Sequence, residues 1–453
     1  MGALIRKING LANRLTGADD DARARSGALF TFGIRIVSAM LAFFSQVLLA
    51  RWLGAFDFGV YTYVWVWINV LGTLSTVGLS ITSVRFLAEY ARPHLHGFLH
   101  GFLRFGRAAS FGMGVLAALA GYAVLHLMPC FTGDHYHVPL SIALLSLPAF
   151  ALTDFHDGVG RGRSWVGLAF IPPYILRPLL LLVFVAILVV TGGGRTAITA
   201  AWALVAATWI TAGVQFILLH RRLARTSPAP DTRRYQPRLW LGVSIPLLLM
   251  DSFTLLMTNI DILLLERFVN PDQIAIYFAA ARTISFISFI HFAVTAVAMP
   301  RFAAAFAANE PKVAAAHLAR FRNWTLWPSL ALSIVLLGSG KFILAMFGPA
   351  FIAAWPVMFA LVAGHLARAA AGPAESLLMV SGRHVYTAVV TGLTALLNIA
   401  LNLALVPRHG LVGAGMATAA ALVFQSAVLT LAARRAMDEG FHSNAHKAAG
   451  EAA

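Results

Sequence analysis

The sequence predicts an all-α, polytopic membrane protein with about twelve transmembrane helices in two six-helix lobes around a central cavity. Three observations predict it: an apolar, charge-poor composition, a ladder of apolar blocks about 20 residues long, and an internal repeat at one fixed offset. Of 453 residues, 59% are apolar and 11% charged, with a mean hydropathy of +0.77. A soluble globular domain has roughly a quarter of its residues charged. This chain therefore cannot cover its own surface with polar groups. The net charge of +16 would point to nucleic acid only if the basic residues formed a face on a soluble domain. Here they lie between apolar blocks, so a nucleic-acid partner is not expected. The single cysteine, Cys130, excludes an intrachain disulfide and a thiolate metal cluster. Neither a metal nor a cofactor is expected.

The elements follow in order. Residues 1–27 read as a cytoplasmic arm with no apolar core long enough for a cleavable signal peptide. Ile5, Ile8, Leu11 and Leu15 recur at helical spacing among Arg6, Lys7 and Arg14, the pattern of an amphipathic helix lying on an anionic leaflet. Six blocks at 28–51, 58–80, 108–129, 138–157, 165–190 and 198–220 form a first lobe, residues 28–220. Each is long enough to cross ~30 Å of hydrocarbon at ~1.5 Å per residue. A basic stretch at 221–238, with Ser227, Pro228 and Pro230 in its middle, reads as a cytoplasmic linker. Blocks at 239–265, 274–300, 324–347, 356–380, 386–406 and 411–433 make the second lobe, residues 239–433, and 434–453 is a cytoplasmic tail.

Charge sets the orientation. With both termini in the cytoplasm, 25 of the 34 Lys and Arg fall in inner segments, five in outer loops (Arg51, Arg195, Arg267, Lys341, Arg408) and four inside spans. That asymmetry satisfies the positive-inside rule. The repeat divides the chain at the linker: residues 51–61 align without gaps on residues 267–277, an offset of 216, and Arg85-Phe86 and Arg301-Phe302 lie at the same offset. Two six-helix units entering from the same side are related by an axis along the membrane normal, as are transporter lobes that share a central site. A duplication kept only for packing is the alternative.

Polar residues inside spans locate the site. Arg35, Arg177, Arg282 and Arg368 would each cost about 2.5 to 3.5 kcal/mol at mid-bilayer if they faced lipid, so they face water, a partner or an anion. Arg35 shares one face of its helix with Thr31, Ser38, Ser45 and Gln46; Asp251 shares one with Thr254, Thr258 and Asp261. His365, Arg368 and Glu375 form a third stripe, and Thr387, Thr391, Thr394, Asn398 and Asn402 a fourth. In the eighth span Arg282 and Ser285 are on one side and His291 is not. Gln46, Thr258, Asn398 and Asn402 are expected to line the cavity. The structural alternatives are hydroxyls bonded to their own helix, asparagines that glue helices, and an Arg368–Glu375 strut. Pro172, Pro173 and Pro178 around Arg177 should break or bend the fifth span. Asp154, His156 and Asp157 fall at a cytoplasmic helix end, where solvated charge is expected and an orienting or gating pair is the alternative. His94, His96 and His100 lack acidic or cysteine partners for a metal. No P-loop, nucleophile elbow or His-Glu-x-x-His motif occurs.

The first-span exit, Leu49-Ala-Arg-Trp-Leu-Gly-Ala-Phe-Asp-Phe-Gly-Val-Tyr61, its second copy running into Tyr277-Phe-Ala-Ala-Ala-Arg282, and the segment from Leu397 to Gly415 resemble the polysaccharide-transporter, or Wzx-type flippase, family. That family belongs to the multidrug/oligosaccharidyl-lipid/polysaccharide exporter superfamily. The resemblance implies alternating access by two rocking lobes in a bacterial inner membrane. It implies a cationic cavity for the head group of an undecaprenyl-diphosphate-linked glycan, whose tail stays in membrane lipid, with Arg35 and Arg282 as head-group candidates. Glycan polymerases and glycosyltransferases of the same route are the protein partners considered. Ala275 stands where the family's second-lobe exit usually has Gly, and Gly54 of the first exit has Asn270 as its counterpart. Arg177 and Arg368 complete the expected substrate-binding set, with Asp251 and His365 as candidate ion-coupling groups. A multidrug or cation antiporter is the first rival. It calls for buried carboxylates, and the sequence places chiefly Asp251 and Glu375 against four arginines. A membrane-embedded glycan polymerase or ligase, which needs a large outer loop, is the second.

Overall fold

A computed structural model describes residues 33–128, 132–227 and 232–438. The arm helix, Thr31, Cys130, the prolines at 228 and 230 and most of the tail lie outside the described residues. Helices dominate. The first lobe contains α1 (Gly33–Leu53), α2 (Ala55–Glu89), α3 (His96–Leu127), α4 (Asp134–Leu144 and Leu147–Gly162, bent by 57°), α5 (Val166–Val190) and α6 (Ala197–Thr226). The second contains α7 (Pro237–Leu265), α8 (Pro271–Ala307), α9 (Pro311–Gly338 and Gly340–Phe347, bent by 62°) and α10 (Pro349–Ala371, followed by the short helix Ala374–Val380).

The last helical stretch, His384–Asp438, is 55 residues long. Straight, it would run ~80 Å, far more than a bilayer's ~30 Å core. Gly410, at φ 57° and ψ −135°, reverses it. The amide of Gln425 donates to the Thr391 hydroxyl at 3.3 Å, although 34 positions along a straight helix would separate them by ~50 Å. The stretch is thus an antiparallel pair, α11 (384–409) and α12 (411–438), which brings the described spans to twelve. Helix starts repeat at nearly constant spacing: Pro271, Pro311, Pro349 and His384 follow Ala55, His96, Asp134 and Val166 by 216, 215, 215 and 218 residues.

The apolar core decides which parts of the lobes touch. On the face away from the basic loops one cluster runs through both lobes, joining Phe58, Tyr61 and Leu140 to Leu265, Tyr277 and Phe351. There α2 and α8 cross so closely that a Cβ on Gly59 would lie 1.7 Å from the Pro271 carbonyl oxygen. Phe58 sits 6.1 Å from Phe278 and 6.2 Å from Phe351, ring centre to ring centre. Toward the basic face the core splits. Phe302, Phe321, Leu377 and Leu429 pack within the second lobe, and Phe86, Phe102, Phe155 and Trp240 within the first. The lobes are sealed at one face and packed separately at the other.

Two boundaries move from their expected positions. Helix α6 continues to Thr226 and α7 starts at Pro237, so the linker between helices is 227–236 rather than 221–238. The beginning of α7 also belongs to the first lobe's packing: Trp240 is fully buried there, its indole N–H donating to Tyr90 at 3.2 Å. Ser244 donates to the Thr82 hydroxyl at 2.9 Å. Farther along α7, Phe253 meets Gly392 and Met257 packs with Ala395 in the second lobe.

Candidate functional site

The four expected arginines stand on the facing helices α1, α5, α8 and α10, all half-buried. Among the described residues none has a carboxylate within ion-pair distance; the salt bridge found there joins Arg161 to Asp157. Arg35 is held by rings from both lobes. Its guanidinium carbon lies 5.1 Å from the centre of Phe170 on α5 and 4.2 Å from that of Phe292 on α8. Arg177 rests 5.0 Å from Trp65 and 4.7 Å from Phe150.

The turn that presents Arg177 is wide rather than broken. Residues Pro172–Leu176 form a π-helical turn inside an otherwise continuous α5. Proline lacks the N–H an α-turn needs and its ring crowds the preceding turn, and a wider turn absorbs both effects without ending the helix.

Beside Arg35 and Arg177 lies a group of charges that was expected to be solvated and is not. Asp157 is 4% exposed and pairs with Arg161 at 2.9 Å; Arg161 also donates to Ser80 on α2 at 3.2 Å. Asp154, one turn away, is within electrostatic reach of Asp157, Arg161, Arg177 and Asp251. Asp157 likewise acts on Arg35. The fourth apolar block ends at Asp157, and Gly158, Gly160 and Gly162 follow it. The helix in fact continues through Gly162, and the glycines let it press against α2 and α5.

The second lobe's wall is different. Helix α8 is interrupted at Ser285, between Pro271–Ile284 and Phe286–Ala307. His291, which the helical projection places away from Arg282 and Ser285, comes within electrostatic reach of Arg368 on α10. His365 lies in the same reach, with its Nδ1 at 2.9 Å from the Leu361 carbonyl oxygen. Arg368 forms no ion pair with Glu375, so the strut is absent. Arg282 has no hydrogen bond, ion pair or ring partner among the described residues.

Two cavity-lining expectations are corrected. Asn398 and Asn402 have no exposure and belong to a sealed network within the second lobe. There Asp261 accepts from Tyr277 (2.7 Å), Asn402 (3.0 Å) and Thr418, and Asn402 also donates to Asn398. Asp261 thus leaves the wet stripe it shared with Asp251. Thr258 is exposed, and Gln46 is half-buried with its carbonyl oxygen unpartnered. Thr387, Thr391 and Thr394 bond carbonyls of their own helix. A pair the hydropathy reading passed over joins Arg107 on α3 to His156 at 3.1 Å. Among the described residues no three His, Cys, Asp or Glu side chains gather as metal ligands do.

The family model described as "Polysaccharide biosynthesis protein" matches residues 24–306. Among solved structures, the chain resembles the inward-facing conformation of a multidrug resistance MATE family transporter of the MOP superfamily. The TM-score is 0.72 at 12% identity, over 89% of this chain and 95% of that one. It resembles the lipid II flippase MurJ in an inward closed conformation equally well, at TM-score 0.72 and 13% identity, over 90% and 87% of the two chains. A MOP superfamily transporter from Pyrococcus furiosus, described as having a binding pocket of reverse polarity, overlaps at TM-score 0.59 and 14% identity, over 90% and 93%. No curated protein matches the sequence.

Proposed function

The chain belongs to the polysaccharide biosynthesis protein family and has the fold of the MOP superfamily transporters; from that premise we propose that it is a flippase. Its substrate is a polyprenyl-diphosphate-linked oligosaccharide, such as an undecaprenyl-diphosphate repeat unit of O-antigen or exopolysaccharide. It moves the head group from the cytoplasmic to the periplasmic leaflet of a bacterial inner membrane, with both termini in the cytoplasm. The observation that carries this assignment is the set of four intramembrane arginines, none ion-paired with a carboxylate among the described residues, on helices that face each other between the lobes.

The physical need is plain. A diphosphate and many hydroxyls taken through hydrocarbon would cost several kcal/mol for each unpaired group. A polar wall of guanidinium groups and rings replaces lost water contacts, while the polyprenyl tail stays among lipid chains. The lobes are sealed away from the basic face and packed separately toward it, which suits a state that receives substrate from the cytoplasm. Rocking them about α2 and α8 would reverse the opening. Outward movement of an anion is downhill by about 2.3 kcal/mol per charge per 100 mV in an inside-negative cell. Any ion coupling falls to Asp251, set among Arg161 and Asp154, and to His365 beside Arg368.

A multidrug antiporter is the second reading, favoured by Asp154, Asp157 and Asp251 near the site. Arg35, Arg161 and Arg177 stand against these three carboxylates, so no net anionic pocket is left for a cation. A glycan polymerase or ligase needs a large outer loop, and the described outer connections are short. The test is flipping of a lipid-linked oligosaccharide by protein reconstituted in vesicles. Arg282→Ala and Arg368→Ala should slow it by about tenfold or more in protein that still inserts. Normal flipping in both, or drug efflux with no flipping, rejects the assignment.

A further inference from the structure

The basic face of the first lobe holds a second group of arginines. There the ends of α2, α4 and α6 and the start of α5 enclose a cavity of about 250 Å³. Leu87, Ala88 and Ala91 form its apolar side, and Arg163, Ser164 and Trp165 face them. The turn from α4 to α5 shapes the polar side. The Trp165 N–H donates to the Gly160 carbonyl at 2.8 Å and the Ser164 N–H to that of Arg161 at 3.0 Å, the paired bonds of a helix end that turns through one left-handed residue. Glycine is the usual occupant of that position, yet Ser164 holds it, at φ 55°. A side chain there costs stability that glycine would spare. What the serine adds is a hydroxyl at the cavity, with no hydrogen-bond partner among the described residues.

Two cations share one ring beside it. The guanidinium carbons of Arg163 and Arg222 lie 5.4 and 4.9 Å from the centre of Trp165. Arg163 also donates to the Ser227 hydroxyl at 2.9 Å, which fixes it against the end of α6. Among the described residues neither arginine has a carboxylate within ion-pair distance; Glu89, at the end of α2, pairs with neither. Like charges on one indole repel each other, and an anion bound by both reverses that balance.

We propose that this cavity binds the phosphate of an anionic glycerophospholipid from the leaflet on the basic face. Guanidinium forks match phosphate oxygens, the Ser164 hydroxyl supplies a further donor, and the side of Leu87 and Ala91 suits the glycerol and the first methylenes of the acyl chains. Tryptophan concentrates where helices meet the head-group layer, and basic pockets between helices at that level take lipid head groups. A soluble phosphate shares the donors and makes no use of the apolar side. The site lies apart from Arg35, Arg177, Arg282 and Arg368, and its small volume suits a head group rather than an oligosaccharide.

The experiment titrates phosphatidylglycerol, and separately phosphatidylcholine, into delipidated full-length protein, with adducts read by native mass spectrometry. Phosphatidylglycerol is expected to bind about tenfold more tightly, and the double variant Arg163→Gln, Arg222→Gln to lose that preference. Arg320→Gln removes a ring-stacked arginine from the basic face of the second lobe and should change it by less than about twofold. Ser164→Gly puts the usual residue into the turn, so the melting temperature should hold or rise while phosphatidylglycerol binding weakens by about threefold. Equal binding of the two lipids, or a preference that survives the double variant, overturns the site. Inorganic phosphate is expected to leave the lipid bound at millimolar concentration; displacement by it would assign a soluble phosphate and overturn the lipid.

Discussion

Arg51, in the last turn of α1, donates to the carbonyl oxygens of Ala345 (3.2 Å) and Met346, the C-terminal carbonyls of the short helix Gly340–Phe347 in the other lobe. A matching contact runs the opposite way. Glu266, just past the end of α7, accepts from the Gly133 N–H at 2.9 Å, at the N-cap of the first segment of α4. Each charge opposes the dipole end it caps, cationic on a C-terminus and anionic on an N-terminus. Both cross between the lobes on the sealed face, so both must break when that face opens.

Hydrogen bonds with one charged partner are worth about 1.5 to 3 kcal/mol. Arg51→Ala together with Glu266→Gln should therefore move the equilibrium toward the open outer face by roughly tenfold or more. Spin labels at positions 195 and 409, on the outer loops of the two lobes, should report a longer mean separation. An unchanged distance distribution would show that the caps do not hold the seal.

Gly59 gives a steric version of the same test. With the Pro271 carbonyl oxygen 1.7 Å from the site of a Cβ, no side chain fits without separating α2 from α8. Gly59→Leu should open the outer face in the spin-label measurement and slow flipping, because the cycle needs both states. Wild-type flipping from a folded Gly59→Leu protein would mean the crossing is not used in transport.

The repeat at offset 216 and the apolar blocks made the twelve spans and two lobes legible in the sequence. The arginines stood out because intramembrane charge is rare. What stayed hidden depended on contacts between helices and on where helices end. The neighbourhood of His291 and Arg368 joins two helices, and α4 continues past Asp157 through three glycines with Asp157 buried. Arg107 was missed because hydropathy starts the third span at Ala108, whereas the helix begins at His96. Asn398 and Asn402 have a wet-looking periodicity, but their partners Asp261, Tyr277 and Thr418 come from three other helices. No single-helix pattern contains that information.

The Asp261 network makes a prediction about stability rather than transport chemistry. Removing the carboxylate strands the Tyr277 hydroxyl, the Thr418 hydroxyl and an Asn402 N–H in a buried site, at about 1 to 3 kcal/mol each. Asp261→Ala should lower the melting temperature of the detergent-purified protein by several degrees, and Asp261→Asn by less, since the amide retains one acceptor. Equal melting of wild type and Asp261→Ala would show that the network carries no fold stability.

The orientation can be checked without substrate. The excess of Lys and Arg lies on the loops following α2, α4, α6, α8, α10 and the end of α12, and the other face has five. Translocating such loops is opposed by the membrane potential and by anionic lipid at the inner surface. In a Cys130→Ser background, a cysteine at position 91 should react with a membrane-impermeant maleimide only after cells are opened. One at position 195 should react in spheroplasts, which leave the inner membrane sealed. The reverse pattern would invert the transport direction proposed here, because the separately packed ends of the lobes would then face the periplasm.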